Sequence, residues 1–177
     1  PPAHHSAFRN AASATSSTLS MIGQMLEHAG FDPTVIVGGR LRSLGRHART
    51  GAGQILVAEA DEFDRSFLRL APALAVITNI DREHMDCYSS LDDLKDAFVE
   101  YANKVPFYGS VITCLDDARA VSIIPRIERR LVTYGSSAQA DIQVRDIVHH
   151  EGATRCRVFY NGDEQGELQL QIPGEHN

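Results

Sequence analysis

Two short apolar runs, each followed at once by acidic residues, constrain the fold of this chain more than any other feature. The first run covers residues 55–58 and continues into Glu59-Ala60-Asp61-Glu62, and the second covers 73–80 and continues into Asp81-Arg82-Glu83-His84. Short apolar runs of this kind are typical of buried strands. Because open α/β sheets bind ligands beyond the carboxyl ends of their strands, the sequence predicts a site at the edge of a parallel sheet.

Helix and strand patterns alternate along the first three quarters of the chain. Apolar residues spaced by three and four predict a helix over 16–29, which Gly30 ends. The pattern returns over 91–105 after a capping box from Ser90 to Asp93, with Asp in place of Glu. Strands are predicted at 35–37, 54–59, 73–80, 111–115 and 131–134. A short helix or turn is predicted around 65–70, a short helix at 118–124 and a surface loop at 40–53. This order predicts an α/β fold with a mostly parallel sheet flanked by helices.

The last quarter of the chain has a different pattern. Three strand-like runs, at 142–148, 154–160 and 167–172, follow one another without a helical pattern between them. Turn signals separate them at Glu151-Gly152 and Asn161-Gly162, and Asn-Gly between two such runs is typical of a hairpin. We therefore expect a small antiparallel meander at the C-terminal end.

Composition narrows the classes of function. With 177 residues, 43% apolar and 23% charged, the chain is an ordinary globular domain in size and polarity. A net charge of −6 without a Lys/Arg cluster argues against a nucleic-acid partner. No apolar run approaches the roughly 20 residues of a membrane span, so no membrane partner is expected. The cysteines, which are Cys87, Cys114 and Cys156, are spaced like free thiols. A cytoplasmic location is the expectation, and the oligomeric state is left open.

The residues after both strands suit a metal ion. Mg²⁺ prefers carboxylate oxygens and keeps waters and substrate phosphates in its shell, and residues 59–62 supply such oxygens. His84 stands between Glu83 and Asp86, so it can bind a metal as a neutral imidazole or be oriented by Asp86. Taken singly, each feature fits a solvated loop somewhat better than a metal site. Their position after two neighbouring strands favours a shared site.

Several motifs, in order, resemble those of one enzyme family. The segments 59–68 and 78–88, with Glu-Ala-Asp-Glu and Thr-Asn-Ile followed by His-Met-Asp-x-Tyr, are similar to the central domain of the Mur ligases. Further agreement comes from Ala29-Gly30-Phe31-Asp32-Pro33-Thr34, Pro106-Phe107-Tyr108-Gly109, Thr133-Tyr134-Gly135 and Pro173-Gly174-x-His176-Asn177. The resemblance runs over 16–177. Within the family it is strongest to the members that join L-alanine to UDP-N-acetylmuramate.

The resemblance implies a P-loop NTPase-like domain of an ATP-dependent amide ligase of peptidoglycan synthesis. In such a ligase, ATP phosphorylates the carboxylate of UDP-N-acetylmuramate, and the amine of L-alanine then attacks the acyl phosphate. Glu59 would hold the Mg²⁺ that bridges the ATP phosphates, and His84 a second Mg²⁺ near the acyl phosphate. Asn177 would hydrogen-bond the adenine, His176 beside it would also bind the cofactor, and Asn79 would line the same cleft.

Residues 11–18 depart from the family pattern. The family places G-T-H-G-K-[ST]-[ST]-T before the first helix, where this chain has Ala-Ala-Ser-Ala-Thr-Ser-Ser-Thr. In the family loop, the glycines let backbone N–H groups wrap the phosphates, and the lysine neutralises the phosphate charge. This chain has neither the glycines nor the lysine. Of the phosphate-binding groups only hydroxyls remain, among them that of Ser16, which could still ligate Mg²⁺.

We therefore interpret residues 1–15 as an atypical segment in place of the phosphate loop, and 16–177 as the Mur ligase central domain. The ends of the chain suggest a piece of a longer protein, with the UDP-sugar-binding and C-terminal domains of the family outside it. Little or no ligase activity is expected of the chain alone. Two alternatives stay open: a related ligase that recycles murein tripeptide, and a non-catalytic scaffold that has kept the fold.

Overall fold

The computed structural model describes residues 14–36, 48–82, 86–150 and 152–170, with side chains from residue 18 onward. These residues form an α/β fold, as the sequence predicts. Two compact units divide the chain. One comprises 1–60, 148–155 and 169–177, and the other 61–147 and 156–168.

The first unit contains one helix and a small sheet. Helix α1 spans Ala14–His28, and the strands are β1 (Thr34–Ile36), β2 (Ala48–Arg49) and β3 (Leu56–Ala58). Strand β1 lies in the centre, antiparallel to β2 and parallel to β3. Leu19 of α1 is buried, with Val35 and Val57 packed against it. The apolar face of the helix therefore covers one face of the β1–β3 pair.

The end of α1 confirms the sequence prediction. Gly30 has a φ of 84°, in the left-handed region that glycine adopts without a steric penalty. Its N–H donates to the Glu27 carbonyl at 2.9 Å, and the Phe31 N–H donates to the Leu26 carbonyl at 3.0 Å. These bonds satisfy carbonyls that the last helical turn leaves open, so the helix stops here.

Part of the predicted loop at 40–53 is a strand instead. Residues 37–47 lie outside the described residues, but Ala48–Arg49 pairs with the free edge of β1. Arg49 holds this pairing with two ion pairs, to Glu27 at 2.6 Å and to Asp32 at 3.1 Å. A strand of two residues carries no periodicity, so the pattern of apolar residues could not predict it.

A six-stranded sheet has most of its residues in the second unit. Its members in chain order are β4 (Leu74–Ile77), β5 (Ser110–Cys114), β6 (Leu131–Gly135), β7 (Ile142–His150), β8 (Ala153–Tyr160) and β9 (Asp163–Leu170), and they lie side by side in that order. Strands β4 to β7 are parallel. Helices α2 (Leu91–Asn103) and α3 (Ala118–Ile123) fill the first two crossovers. The mostly parallel sheet flanked by helices is thus confirmed.

The antiparallel meander is formed by β7, β8 and β9. Two-residue connections join them, and such connections allow only antiparallel neighbours. Asn161 and Gly162 have φ values of 51° and 90°, as a type I′ turn requires. Because this turn is so short, β9 begins directly after it at Asp163, earlier than the predicted start at 167.

Strands β3 and β4 lie in different hydrogen-bonded sheets. The sequence predicts them to be neighbours in one sheet, but β3 pairs with β1 and β4 pairs with β5. Strand β3 is three residues long, and its ladder is taken up by β1. So short a strand offers few backbone groups for a second partner.

Two smaller predictions can also be compared with the structure. Cys87, Cys114 and Cys156 are free thiols, as expected from their spacing. Within the described part of the chain, every helix is too short or too polar to cross a lipid bilayer.

Candidate metal and nucleotide site

Glu59 follows directly on β3. Its backbone N–H donates to the Ile36 carbonyl at 3.1 Å, which extends the β1–β3 pairing by one residue and fixes where the side chain leaves the sheet. The residue is half-buried, and its Oε2 atom is buried. Burying a carboxylate oxygen is costly unless charge or hydrogen bonds compensate it. The hard oxygen donors of this segment fit Mg²⁺ in their chemistry.

The acidic residues after Glu59 are used to shape their own segment. Asp61 Oδ1 accepts a hydrogen bond from the Phe63 N–H at 2.9 Å, and Asp64 Oδ1 accepts one from the Ser66 N–H at 3.0 Å. Such bonds stabilise tight turns. They lead into a short 3₁₀-helix at Phe63–Arg69, where the sequence predicts a short helix or turn. Asp61 and Asp64 therefore have a structural role in this segment.

The segment after β4 is tied to the start of α3. The Ile80 carbonyl accepts from the Arg119 guanidinium at 3.1 Å, and Arg119 also pairs with Asp81 at 3.1 Å. The Ile80 N–H lies 3.4 Å from Asp117 Oδ1, which also caps α3 by accepting from the Ala120 N–H at 2.7 Å. These contacts fix the chain just before the residues 83–85. His84 lies outside the described residues.

Tyr88 joins the two acidic segments of this unit. Its side chain is buried, and its hydroxyl donates to the carbonyl of Glu62 at 2.6 Å. The guanidinium of Arg65 lies over the Tyr88 ring, 4.7 Å from its centre, and pairs with Asp93 at 2.5 Å. The residues 61–65 and 88–93 are therefore in direct contact, although 83–85 between them in sequence are not described.

Asp93 takes a different partner from the one that the capping box predicts. Ser90 caps α2 as expected, because its hydroxyl accepts from the Asp93 N–H at 3.1 Å. In a capping box the Asp93 carboxylate would also accept a hydrogen bond from the Ser90 N–H, but here it accepts from other donors. Its Oδ2 atom accepts from the Ser89 N–H at 2.9 Å, the Ser89 hydroxyl at 3.0 Å and Arg65. The arginine makes the difference, because a charged donor is a stronger partner than a neutral N–H.

Charge and burial set the protonation states of this cluster. The hydrogen bond from Arg65, together with those from Ser89, lowers the pKa of Asp93 from 3.8 to about 2. Burial raises the pKa of Tyr88 above its ordinary value. At neutral pH, Asp93 is therefore an anion, and the Tyr88 hydroxyl keeps its proton and acts as a donor.

The other predicted site residues are distributed as follows. Asn79 is exposed after β4, and its Oδ1 atom accepts from the Thr78 hydroxyl at 2.9 Å. Ser16 lies in α1, with its side chain outside the description, and His176 and Asn177 lie outside the described residues. The described residues contain no group of three or more His, Cys, Asp or Glu side chains that could hold a metal ion. The metal and nucleotide roles of these residues stay predictions.

A family model for the Mur ligase middle domain matches residues 15–177. The chain belongs to the Mur ligase family. Two curated relatives of this Mur ligase domain, both named UDP-N-acetylmuramate–L-alanine ligase, come from Syntrophotalea carbinolica and Solibacter usitatus. They are 48% and 51% identical to it over 161 and 162 residues, 91% of the chain in each case. The matches cover 35% and 34% of those proteins, so the domain spans about a third of their length.

Solved structures agree with this assignment. The crystal structure of UDP-N-acetylmuramate-alanine ligase from Thermotoga maritima has a TM-score of 0.75 and 26% identity, and the match covers 94% of the Mur ligase domain and 36% of that chain. The UDP-N-acetylmuramate:L-alanyl-γ-D-glutamyl-meso-diaminopimelate ligase from Neisseria meningitides has a TM-score of 0.77 at 22% identity, over 94% of the domain and 55% of that chain. The second likeness supports the fold alone.

Sequence reasoning missed Arg65, Asp93 and Arg119 as parts of the site's framework. Arg65 and Arg119 act through contacts to residues distant in sequence, which no local pattern encodes. Asp93 was identified only as a capping residue. Tyr88 was named only as part of the family motif. Its acceptor is the backbone carbonyl of Glu62, which no sequence pattern reveals.

Proposed function

We propose that this Mur ligase domain supplies the metal-binding side of the ATP site in a ligase that joins L-alanine to UDP-N-acetylmuramate. The observation that carries the proposal is the half-buried Glu59 at the end of β3, in a family member whose relatives at 48% and 51% identity are named for that reaction. ATP and Mg²⁺ are the cofactors that this assignment requires, and the two substrates are those of the relatives' names.

Glu59 would hold one Mg²⁺ of the ATP site, and His84 would hold a second Mg²⁺. When bound, these ions neutralise charge on the phosphoryl group that is transferred. Asn79 would lie in the same cleft, Asn177 would hydrogen-bond the adenine, and His176 beside it would also bind the cofactor. The Ser16 hydroxyl would be a further ligand at the start of α1. Each assignment rests on the family resemblance, and for Glu59 and Asn79 the position after a strand supports it.

The reaction itself needs activation of a carboxylate, because a carboxylate is a poor electrophile. The γ-phosphoryl group of ATP passes to a carboxylate oxygen of UDP-N-acetylmuramate, with loss of ADP. The amine of L-alanine then attacks the acyl carbon, and the tetrahedral intermediate expels phosphate and leaves the amide. Catalysis of both steps depends mainly on positioning and on charge stabilisation.

The phosphate-binding side would be deficient in this chain. Residues 11–16 lack the glycines and the lysine of the family loop, so the phosphates would lose both the backbone N–H groups and the cation that bind them. We therefore expect weak Mg·ATP binding and little or no ligase activity from the chain alone. The metal-binding carboxylate would be present while its phosphate partner is not.

Isothermal titration with Mg·ATP tests the proposal. The chain as it stands should bind weakly, and a variant in which residues 11–16 carry the family loop should bind well. Micromolar binding of Mg·ATP by the unaltered chain would contradict the proposal that the phosphate loop is lost. Absence of binding after the loop is restored would count against the ATP site as a whole.

Two other functions are tested by separate measurements. A substrate assay on the full-length protein would distinguish a ligase that recycles murein tripeptide from one that uses L-alanine. The 48% and 51% identity to L-alanine ligases favours the L-alanine enzyme. A non-catalytic scaffold would show no thermal shift with Mg²⁺ or Mn²⁺, whereas a surviving metal site would raise the melting temperature.

A further inference from the structure

Arg145 of β7 is held in place by two other side chains, neither of which is charged. Its guanidinium carbon lies 4.1 Å from the centre of the Phe159 ring, and its Nε–H donates to Gln143 Oε1 at 2.7 Å. Phe159 and Gln143 are both buried, and all three residues belong to the second unit. The side chain of Arg145 is therefore ordered in advance, so it has less conformational freedom to lose when a ligand binds.

The carboxylate next to Arg145 pairs with a different arginine. Asp146 Oδ2 lies 3.2 Å from a terminal nitrogen of Arg157, and Arg157 also pairs with Glu164. Within the described part of the chain, no carboxylate forms an ion pair with Arg145, and its Nε–H makes its only hydrogen bond. The terminal N–H groups of Arg145 are therefore left for solvent or for a ligand.

The backbone of β7 is irregular at the same point. Asp146 has a φ of 55°, in the left-handed region, although it lies within a strand. A left-handed residue inside a strand is typical of a bulge, which re-aims neighbouring side chains and is frequent beside ligand sites. Here the irregularity accompanies the pairing of Asp146 with Arg157 rather than with Arg145.

Arg145 lies past the carboxyl edge of the parallel strands. Strands β6 and β7 are parallel, and their last aligned residues are Gly135 and Gln143. Strand β6 ends at Gly135, whereas β7 continues to His150 and carries Arg145 beyond that end. The Gln143 side-chain amide also donates to the Ser136 carbonyl at 3.1 Å, which ties this part of β7 to the segment after β6. Open α/β sheets bind their ligands at this edge.

We propose that Arg145 is an anion-binding residue: its guanidinium, stacked on Phe159 and held by Gln143, binds a phosphoryl or carboxylate group of a small ligand at the carboxyl edge of the sheet. The planar fork of an arginine matches two oxygens of either group, and it can stack on an aromatic ring at the same time. The inference goes beyond the proposed function, because it requires neither Glu59 nor residues 11–16.

Nuclear magnetic resonance of the arginine Nε–H groups tests the proposal. The chain is titrated with sodium phosphate or sodium acetate at constant ionic strength, because salt screens exposed charges, and sodium chloride is the reference. The variant Arg145→Lys identifies the Arg145 resonance by its loss. We expect this resonance to shift and saturate with phosphate, acetate or both, but not with chloride. Saturation by phosphate alone indicates a phosphoryl ligand, and saturation by acetate indicates that a carboxylate is accepted.

Arg145→Lys also tests whether the fork, rather than the charge alone, binds the anion. Lysine keeps the positive charge but has no planar fork. We expect the affinity for the anion to fall by about 10-fold or more, as for the loss of a hydrogen bond between charged groups. The affinity is measured from the rise of the melting temperature with anion concentration.

Arg130→Lys is the matched control. Arg130 is an exposed arginine just before β6, at the opposite end of the parallel strands. Among the described residues its side chain has no ring contact and no ion pair. The same exchange of arginine for lysine at this position should leave anion affinity unchanged.

Three results would overturn the inference. The Arg145 resonance could fail to saturate with phosphate and acetate or respond equally to chloride, the Arg130 resonance could respond as strongly, or Arg145→Lys could bind the anion as tightly as the unaltered chain. Each would make Arg145 an ordinary solvated arginine. Because the titrations contain neither Mg²⁺ nor ATP, such a result would leave the proposed ATP site untouched.

Discussion

Replacement of Phe67 by alanine should destabilise the second unit strongly. Phe67 is 2% exposed and has two aromatic neighbours on α2, Phe98 and Tyr101, with ring centres within 5.5 Å. Removal of a buried phenylalanine side chain costs about 3–5 kcal/mol, part of it from the cavity left behind. Since both aromatic pairs are lost as well, we expect the upper half of that range, about 4–5 kcal/mol.

A second substitution at Phe67 tests how this cost is divided. Phe67→Leu keeps most of the volume but loses two aromatic pairs, each of which contributes about 0.5–1.5 kcal/mol beyond burial. It should therefore cost about 1–3 kcal/mol. The assay is urea unfolding followed by far-ultraviolet circular dichroism and tyrosine fluorescence, which is unobscured because the chain has no tryptophan.

Phe107→Ala is the control for this series. Phe107 is 94% exposed and touches Tyr108 edge-on, at 5.4 Å between ring centres. An exposed substitution usually changes the free energy of unfolding by no more than about 0.5 kcal/mol. A cost below about 1 kcal/mol for Phe67→Ala, or an equal cost at both positions, would refute the view that Phe67 anchors the acidic segment to α2.

Three further predictions concern the cap, the ion pair and a close backbone approach. Ser90→Ala should cost about 1 kcal/mol in urea unfolding, and Ser90→Gly only a few tenths; equal costs would contradict the capping role. Because Arg65 and Ser89 lower the pKa of Asp93 from 3.8 to about 2, the stabilisation that Asp93→Asn removes is fully present above about pH 4 and is lost as the pH falls toward 2. Unfolding measured across that range should show the two proteins converge, and a constant difference would contradict the pair. Gly53→Ala should lower the melting temperature, because a Cβ there would lie 1.9 Å from the Phe31 carbonyl oxygen; an unchanged melting temperature would contradict that close approach.

Elements with a clear period were the predictable part of the fold. Helices α1 and α2 follow the spacing of apolar residues in 16–29 and 91–105, and Gly30 and Ser90 mark ends that the structure confirms. The meander was equally clear, because Asn161-Gly162 encodes its own turn. Strand β2 was missed, since its pairing depends on Arg49 reaching two distant carboxylates.

The site was only partly predictable from the sequence, for a physical reason. Carboxylates after an apolar strand are visible in the sequence, but only the family resemblance singled out Glu59 from Asp61 and Glu62. The hydrogen bond from Tyr88 ends on the backbone carbonyl of Glu62, which any residue carries. The left-handed angles of Asp64 and Arg65 are equally hidden, because tertiary contacts rather than glycine permit them. The assignment of β3 and β4 to one sheet failed because apolar runs predict strands but not their partners.

The central proposal is that Glu59 of this Mur ligase domain would bind the metal ion of an ATP site, while residues 11–16 lack the family's phosphate-binding loop. The most direct measurement is a calorimetric titration of Mg·ATP into the chain with the family loop at residues 11–16, with and without Glu59→Gln. The account predicts Mg²⁺-dependent binding when Glu59 is present and a large loss of affinity when it is replaced. Binding that is equally tight in both proteins, or absent from both, would contradict it.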